Sequence, residues 1–481
     1  MVTIRKRSVT LFLIIFMISI IAIAFGINTL FAFSMGLVIL ICLVYSKSIY
    51  NNFSIVFFLM TFFFFLMSSE FVKEVLGANV SRDTTEASEL HYQIAILLSL
   101  IGIFIGYQIK LKANKGNNFN IDIIDNDEKK ITRSVSKIIF YVTFIFYLAP
   151  VIERILFVKN NSYYLSYVAY SSSIPYIFIK IGEMCPITFS IFLATFPSKK
   201  ECRMPIILYL IYSITYLFTG KRYLTVSTLI FFVTYFLIRN KTDEKQSVKW
   251  ISKKLIILLI VLLPFTGAAL AAYSTIRTGA KLPSGTSIKS LLYTLFTSVA
   301  DSDRVIKYGY MFKNQFPSGH IYSFGNIIDY FKYGTISRLI TGSNITVSQT
   351  AEYALNGNGY AYVLSYLYYP DKYLSGHGLG SCYIAALYQD AGYLGIIIGN
   401  LVLGFSLRNL FNVTSNSIWK NAIVFYVYRN LLLTPRNDFD IVFRDILSFG
   451  FLFTFIFIYL IVKYFNKPKL LRMDSGNETI K

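Results

Sequence analysis

The chain has 481 residues, of which 55% are hydrophobic and only 15% are charged, and its formal net charge is +21. This composition excludes an ordinary soluble globular protein and is typical of a chain surrounded mostly by lipid. In a soluble protein such a charge would suggest nucleic acid. Here most of the positive charge falls in segments between apolar runs, so we expect no nucleic-acid partner.

Twelve apolar runs are long enough to cross about 30 Å of hydrocarbon, which predicts an all-α polytopic membrane protein. The first run resembles a signal peptide, but a second follows almost at once, so we expect an uncleaved first span. The predicted spans are residues 9–27, 29–46, 53–69, 92–109, 135–158, 174–196, 205–219, 223–239, 254–276, 384–407, 417–434 and 446–464.

Lys and Arg indicate the orientation of these spans. If the N-terminus lies inside, the inside segments hold 26 of the 46 Lys and Arg residues. This asymmetry satisfies the positive-inside rule, so we expect both termini in the cytoplasm of a bacterium and a multi-pass protein of its inner membrane. Residues 465–481 are then a cytoplasmic tail.

One connection is much longer than the others. Residues 277–376 separate the nine spans of residues 1–276 from the last three, and the predicted topology places them outside. Loops of this length are usually functional. The stretch S-I-K-S-L-L-Y-T-L-F-T-S-V-A-D-S-D-R-V-I-K-Y-G-Y-M-F predicts an amphipathic helix on the membrane surface.

Several cations on the outer side violate the positive-inside rule. Each could anchor the chain at lipid headgroups. A set on four separate connections instead indicates an anionic partner such as a membrane-bound diphosphate, because Arg forks bind phosphate oxygens bidentately. The set comprises Lys221, Arg222, Arg277, Arg304, Arg338, Arg429, Arg436 and Arg444.

Candidate bases are fewer. His377 lies in S-G-H-G-L-G-S-C, a glycine-rich strip that leads into a late span, and histidine is the side-chain type whose ordinary pKa is near neutral pH, which suits a general base. His320 has weaker support. Glu352 and Asp303 are reserves in the long loop. Glu183, inside a predicted span, either has a function or pairs with Lys180 three residues earlier.

Ten tyrosines fall between Tyr353 and Tyr393. Tyr offers an apolar ring face and a hydroxyl, which suits sugar rings, and Tyr360, Tyr373 and Tyr383 are our candidates for sugar contacts. An interfacial aromatic belt is the alternative explanation. The sequence has no Walker A loop, no metal-ligand spacing outside the membrane and no Cys-x-x-Cys pair, so we expect no cofactor and no tightly held metal.

These motifs resemble the O-antigen and capsule repeat-unit polymerases (Wzy), a family related to the O-antigen ligases. T-G-K-R-Y is similar to that family's Gly-(Lys/Ser)-Arg hairpin and S-D-R to its loop arginine. Y-P-D-K, followed by G-L-G-S-C-Y-I-A-A-L-Y-Q-D-A-G-Y-L-G, resembles the strip that enters a late span. Two departures are Gly378, where the ligases carry Asn after their His, and Ala386, where these polymerases often carry an acid.

The resemblance implies a GT-C-like glycosyltransferase architecture and polymerisation of undecaprenyl-diphosphate-linked oligosaccharides at the periplasmic face. A hydroxyl of one oligosaccharide attacks the anomeric carbon of another, polyprenyl diphosphate leaves, and direct displacement inverts that centre. It also implies a separate chain-length-regulating co-polymerase. Two alternatives stay open: a lipid-linked oligosaccharide flippase, although no duplicated halves are visible, and an O-antigen ligase.

Overall fold

Within the described part of the chain, the protein is built from helices and turns and contains no β-strand. This agrees with the all-α class predicted from composition. A computed structural model describes residues 28–77, 83–110, 126–220, 223–242, 249–252, 265–269, 271–273, 275–276, 286–299, 302–342, 345–410 and 417–466.

The first half of the described chain forms the larger part of a helix bundle. α5 packs on both α7 and α8, and α1 packs on α2 and α4. The helices are α1 (Thr29–Ser46), α2 (Ile49–Phe62), a π-helical segment (Phe63–Met67), α3 (Ser68–Leu76), α4 (Glu86–Gln108), α5 (Asp127–Asn160), α6 (Leu165–Val168), α7 (Tyr176–Glu183), α8 (Cys185–Ala194), α9 (Lys199–Leu217) and α10 (Tyr223–Thr242).

The predicted long loop folds as a layer of short helices against one end of this bundle. They are α11 (Ile288–Thr294), a second π-helical segment (Leu295–Val299), α12 (Asp303–Phe312), α13 (Gly325–Tyr333), α14 (Thr335–Thr341), α15 (Ala351–Asn356), α16 (Tyr360–Tyr368) and α17 (Pro370–Leu374).

The predicted amphipathic helix is thus divided into α11 and α12. The proposed location on the membrane surface is wrong for α12, because Val305, Ile306 and Lys307 are buried where α12 packs against α4.

The chain then returns to the bundle. α18 (Tyr383–Asn409) is followed by α19 (Ile418–Leu431), the short 3-10 turn Thr434–Arg436, α20 (Ile441–Leu447) and α21 (Phe449–Phe465). α19 packs on α8, and α21 packs on α5.

Six segments of the described chain are long and apolar enough to cross a membrane: Thr29–Ser46, Ile49–Val75, Glu86–Gln108, Asp127–Asn160, Tyr176–Ala194 and Tyr383–Asn409. α21 is a shorter apolar helix. Each agrees in position with a predicted span. The predicted spans 205–219, 223–239 and 417–434 fall on α9, α10 and α19, which are not among these six. Residues 9–27 and much of 254–276 lie outside the described residues, so the total of twelve stays a prediction.

The most extensive helix–helix contact in the described part of the chain joins α4 to α18. A Cβ at Gly106 would overlap the carbonyl oxygen of Leu401, and one at Gly404 would overlap that of Ile103. In lipid, where apolar surfaces gain little by leaving the solvent, such close backbone approach supplies the packing that holds helices together.

We expect Gly106→Val to lower the free energy of unfolding by ~1–3 kcal/mol, because the added methyls force α4 and α18 apart. Thermal unfolding of the purified protein in detergent would measure this. Gly450→Val is the matched control, since a Cβ at Gly450 meets its nearest atom at an ordinary 3.8 Å. Equal unfolding temperatures for the two variants would contradict the close packing.

Candidate functional site

The glycine-rich strip has a defined backbone conformation, and hydrogen bonds hold it in place. Gly376 and Gly380 have φ of +98° and +84°, a region that side chains with a Cβ rarely occupy. The Leu379 amide donates to Ser365 Oγ at 3.0 Å, and the Ser381 hydroxyl donates to the Asp438 carboxylate. The strip is therefore held against the hairpin between α19 and α20.

Asp390, in the D-A-G-Y-L-G motif, anchors the loop layer to α18. The helix is interrupted at Ala391 and Gly392, where Gly392 has φ of +59°. The Asp390 carboxylate accepts hydrogen bonds from the backbone amides of Tyr322 at 2.8 Å and Ser323 at 2.7 Å. The Asp390 carboxylate thus provides hydrogen-bond acceptors for the two backbone N–H groups just before α13.

His377 lies half-buried at the start of the strip. Its ring stacks on Tyr164 with centroids 3.6 Å apart, and its Nδ1 lies 3.2 Å from Ser375 Oγ. Within the described residues the structure gives its Nε2 no hydrogen-bond partner. This arrangement holds the imidazole in a defined orientation and leaves one nitrogen to exchange a proton.

The two reserve bases have very different surroundings. Glu352 is exposed in the first turn of α15. Asp303 has no exposed surface, and its carboxylate lies 3.7 Å from Lys307 Nζ. A carboxylate sealed in an ion pair cannot reach a substrate hydroxyl, so the structure argues against Asp303 as a base in this conformation.

Two of the predicted diphosphate-binding arginines lie on elements that pack on the first π-helical segment: Arg304 on α12 and Arg436 on the turn Thr434–Arg436. The Ser302 amide, two residues before Arg304, donates to the Phe65 carbonyl at 3.2 Å. The Arg436 guanidinium lies 5.5 Å from the centroid of the Phe65 ring. π-Helical segments within α-helices occur frequently at functional sites. Residues 65, 304 and 436 therefore mark our candidate site.

Three of the other predicted cations lie elsewhere in the described structure. Arg338 is half-buried on α14, which packs on α13. Arg429 donates to Tyr209, and Arg444 binds Asp445 at 2.7 Å. Lys221, Arg222 and Arg277 lie outside the described residues.

The three candidate sugar-binding tyrosines are buried packing residues here. Tyr373 donates to the Thr350 carbonyl at 3.2 Å, and Tyr383 donates to Asn400 Oδ1 at 2.6 Å. Tyr360 stacks on Phe316. Each is at most 1% exposed, so no ring face is open to a sugar in this conformation.

Glu183 has the structural role that was the alternative to a functional one. Its carboxylate pairs with Lys180 at 2.8 Å, and both side chains are substantially exposed within the protein. His320 is half-buried and lies near the Tyr322 ring, with centroids 6.0 Å apart.

A buried ionic cluster around Lys307 was missed by the sequence reasoning. Lys307 Nζ lies 3.0 Å from Glu70, 2.6 Å from Glu89 and 3.7 Å from Asp303, and the Lys307 side chain is only 1% exposed. The sequence feature that could have revealed this cluster is the carboxylate near the end of a predicted span, in S-S-E-F-V-K-E. Buried charges in membrane proteins are expensive and usually functional.

A second missed cluster lies on the hairpin that carries Arg436. Asn326 Nδ2 donates to Asp438 and to Asp440, at 2.9 Å each, and the Ile327 amide donates to Asp440 at 2.8 Å. Burial raises the pKa of the Asp438 carboxyl and raises that of Asp440 to about 6. These carboxylates tie α13 to the hairpin.

The raised pKa of Asp440 predicts a pH-dependent stability. Between about pH 4 and pH 6 the folded chain keeps a proton that the unfolded chain releases. The free energy of unfolding should then fall with rising pH, by up to ~1.4 kcal/mol per unit, and level off above pH 6. Unfolding temperatures from pH 4 to 7, compared with Asp440→Asn, would test this. If the unfolding temperatures of the two proteins changed in parallel with pH, the predicted effect of Asp440 would be refuted.

Together, the apolar helices and the site near Phe65 describe a membrane protein with cationic side chains at one end of its bundle. The family described as O-antigen polysaccharide polymerase Wzy matches residues 7–469, nearly the whole chain. The chain therefore belongs to this family of membrane glycosyltransferases, which act in polysaccharide and lipopolysaccharide biosynthesis on lipid-linked repeat units, and it is a multi-pass membrane protein. No curated protein and no solved structure matches it.

Proposed function

We propose that this protein joins undecaprenyl-diphosphate-linked oligosaccharide repeat units at the periplasmic face of the inner membrane. The observation that carries the proposal is that the turn with Arg436 and the helix with Arg304 both pack on the first π-helical segment, within a chain whose family polymerises O-antigen. Both arginines are partly buried, and guanidinium groups suit the oxygens of a diphosphate.

The proposed reaction is a direct displacement. A hydroxyl at the non-reducing end of one oligosaccharide attacks the anomeric carbon of the other, and that carbon's bond to the diphosphate oxygen breaks. The leaving diphosphate keeps the electron pair, and arginine side chains stabilise its charge without a metal ion. The anomeric configuration inverts.

His377 is our proposed base for the attacking hydroxyl. Its Nε2 would take the proton while stacking on Tyr164 holds the ring in place. Glu352, exposed on α15, is the reserve. Arg338, Lys221, Arg222 and Arg277 stay proposed contacts of the diphosphate or its lipid.

Deleting the gene in its host and separating the surface glycolipids on a gel tests the function. We expect single capped repeat units in place of a ladder. A deletion strain without any repeat unit would indicate a flippase, and one that accumulates lipid-linked polymer would indicate a ligase.

Complementing this strain with His377→Ala tests the base. We expect single repeat units at normal levels of membrane-inserted protein, with His320→Ala as the control that restores the ladder. A full ladder from His377→Ala would remove His377 from the mechanism while leaving the arginine argument intact.

A further inference from the structure

A polar cavity of about 510 Å³ lies between the ends of α3, α4 and α12. Cavities of roughly 300–1,000 Å³ are the usual size of small-molecule sites. Its lining includes Asn28, Thr84 and Thr85 in addition to acidic, amide and ammonium side chains from the three helices. None of the residues predicted from the sequence lines it.

The charges in this cavity largely cancel one another. Glu70 binds Lys73 through one carboxylate oxygen at 2.9 Å and Lys307 through the other at 3.0 Å, while Lys307 also lies 2.6 Å from Glu89. With Glu86, three carboxylates face two ammonium groups. A diphosphate would meet net negative charge here, so the cavity is unsuited to the leaving group.

The same lining suits hydroxyl groups. Ionised carboxylates only accept hydrogen bonds and ammonium groups only donate them, so a polyol, which does both, can satisfy each of them. Glu86, Glu89 and Gln93 follow one another along one face of α4. The ion pairs fix the Glu70 and Lys307 side chains before any ligand arrives, which reduces the entropy lost on binding.

The position of the cavity connects it to the candidate site. α12 carries both Lys307, which lines the cavity, and Arg304, one helical turn earlier. The first π-helical segment, which meets Arg436, leads directly into α3 with Glu70 and Lys73. A ligand that reached from the arginines into the cavity would have a charged end and a neutral, hydroxylated end.

We propose that this cavity is a glycan subsite that holds neutral sugar residues of the lipid-linked oligosaccharide while the arginines hold its diphosphate. This inference rests on the proposed function, which supplies the substrate class. It assigns sugar recognition to Glu86, Glu89 and Gln93 on α4, with the buried Glu70–Lys307 pair supporting the cavity wall, rather than to the buried tyrosines of the long loop.

Two separate probes test the subsite. One is the repeat-unit oligosaccharide released from its lipid, and the other is farnesyl diphosphate, which has no sugar. Binding of each to the purified full-length protein in detergent would be measured by calorimetry. We expect Gln93→Leu, which keeps the side-chain size but removes the amide, to weaken oligosaccharide binding about tenfold and to leave farnesyl diphosphate binding unchanged.

Two further variants show whether misfolding could explain the effect of Gln93→Leu. Glu86→Gln alters an exposed side chain at the cavity, and it should also weaken oligosaccharide binding. Gln108→Leu makes the same substitution as Gln93→Leu at the other end of α4, and it should bind both probes like the unaltered protein. All three should show unchanged elution on gel filtration.

The outcomes distinguish a failure of the subsite proposal from a failure of the proposed function. Absence of saturable oligosaccharide binding to the unaltered protein, or equal binding by Gln93→Leu, overturns the subsite whatever the polymerase assay shows. Oligosaccharide binding that Gln93→Leu weakens supports the subsite. If purified protein in liposomes then fails to polymerise lipid-linked repeat units, only the proposed reaction is overturned.

Discussion

Replacing Lys307 with Met should remove most of the folded protein from the membrane. The substitution removes the ammonium group beside Asp303, whose side chain is 0% exposed, and leaves Glu70, at 3% side-chain exposure, with Lys73 in place of two cations. Breaking a buried ion pair from one side costs ~3–5 kcal/mol, because an uncompensated charge stays inside the protein. A loss of this size is comparable with the total stability of many domains.

The measurement is the yield and unfolding temperature of detergent-solubilised protein. Lys180→Met is the matched control, because its pair with Glu183 is exposed and should contribute less than ~1 kcal/mol. Adding Glu70→Gln to Lys307→Met should recover part of the loss. If Lys307→Met unfolds at the same temperature as Lys180→Met, the cluster is not the structural anchor that its burial indicates.

Replacing Arg304 or Arg436 with Ala should reduce polymerisation by ~10²–10³-fold, the usual effect of removing one donor that stabilises developing charge. Each arginine lies on an element that packs on the first π-helical segment, so each should matter separately. Lys at either position should restore the reaction only in part, because an ammonium group cannot bind two phosphate oxygens as a planar fork.

The readout is the ratio of single-repeat to polymeric glycolipid in a deletion strain that expresses each variant at equal levels. Arg203→Ala is the control, since Arg203 is exposed near the start of α9 and should leave the ladder unchanged. Normal chain length in both Arg304→Ala and Arg436→Ala would overturn the assignment of these arginines to the diphosphate.

The positions of the helices were predictable because each span is encoded locally. A run of apolar residues long enough to cross lipid must satisfy its own backbone hydrogen bonds, and a helix does this within the segment. The candidate spans 29–46 and 384–407 accordingly match α1 and α18 closely.

The candidate site was only partly predictable. Arg304 and Arg436 were two of eight cations selected because cations on the predicted outer side break a compositional rule, and the elements that carry these two both pack on the first π-helical segment. The sequence could not distinguish sugar-binding tyrosines from packing tyrosines, because a ring that suits a sugar also suits the core. Tyr383 and Asn400, 17 residues apart on α18, bind each other inside the protein.

By itself, the sequence determined the all-helical membrane class, the places of the main helices and the family of the chain. Only the tertiary structure decided which charged residues are paired and which are open to substrate. Lys307 meets Glu70 across 237 residues, and Asp438 meets Ser381 across 57. Such partners share no local pattern, because the sequence around a carboxylate or an ammonium group does not show which distant charge it will contact. Only folding determines which of these groups are buried together.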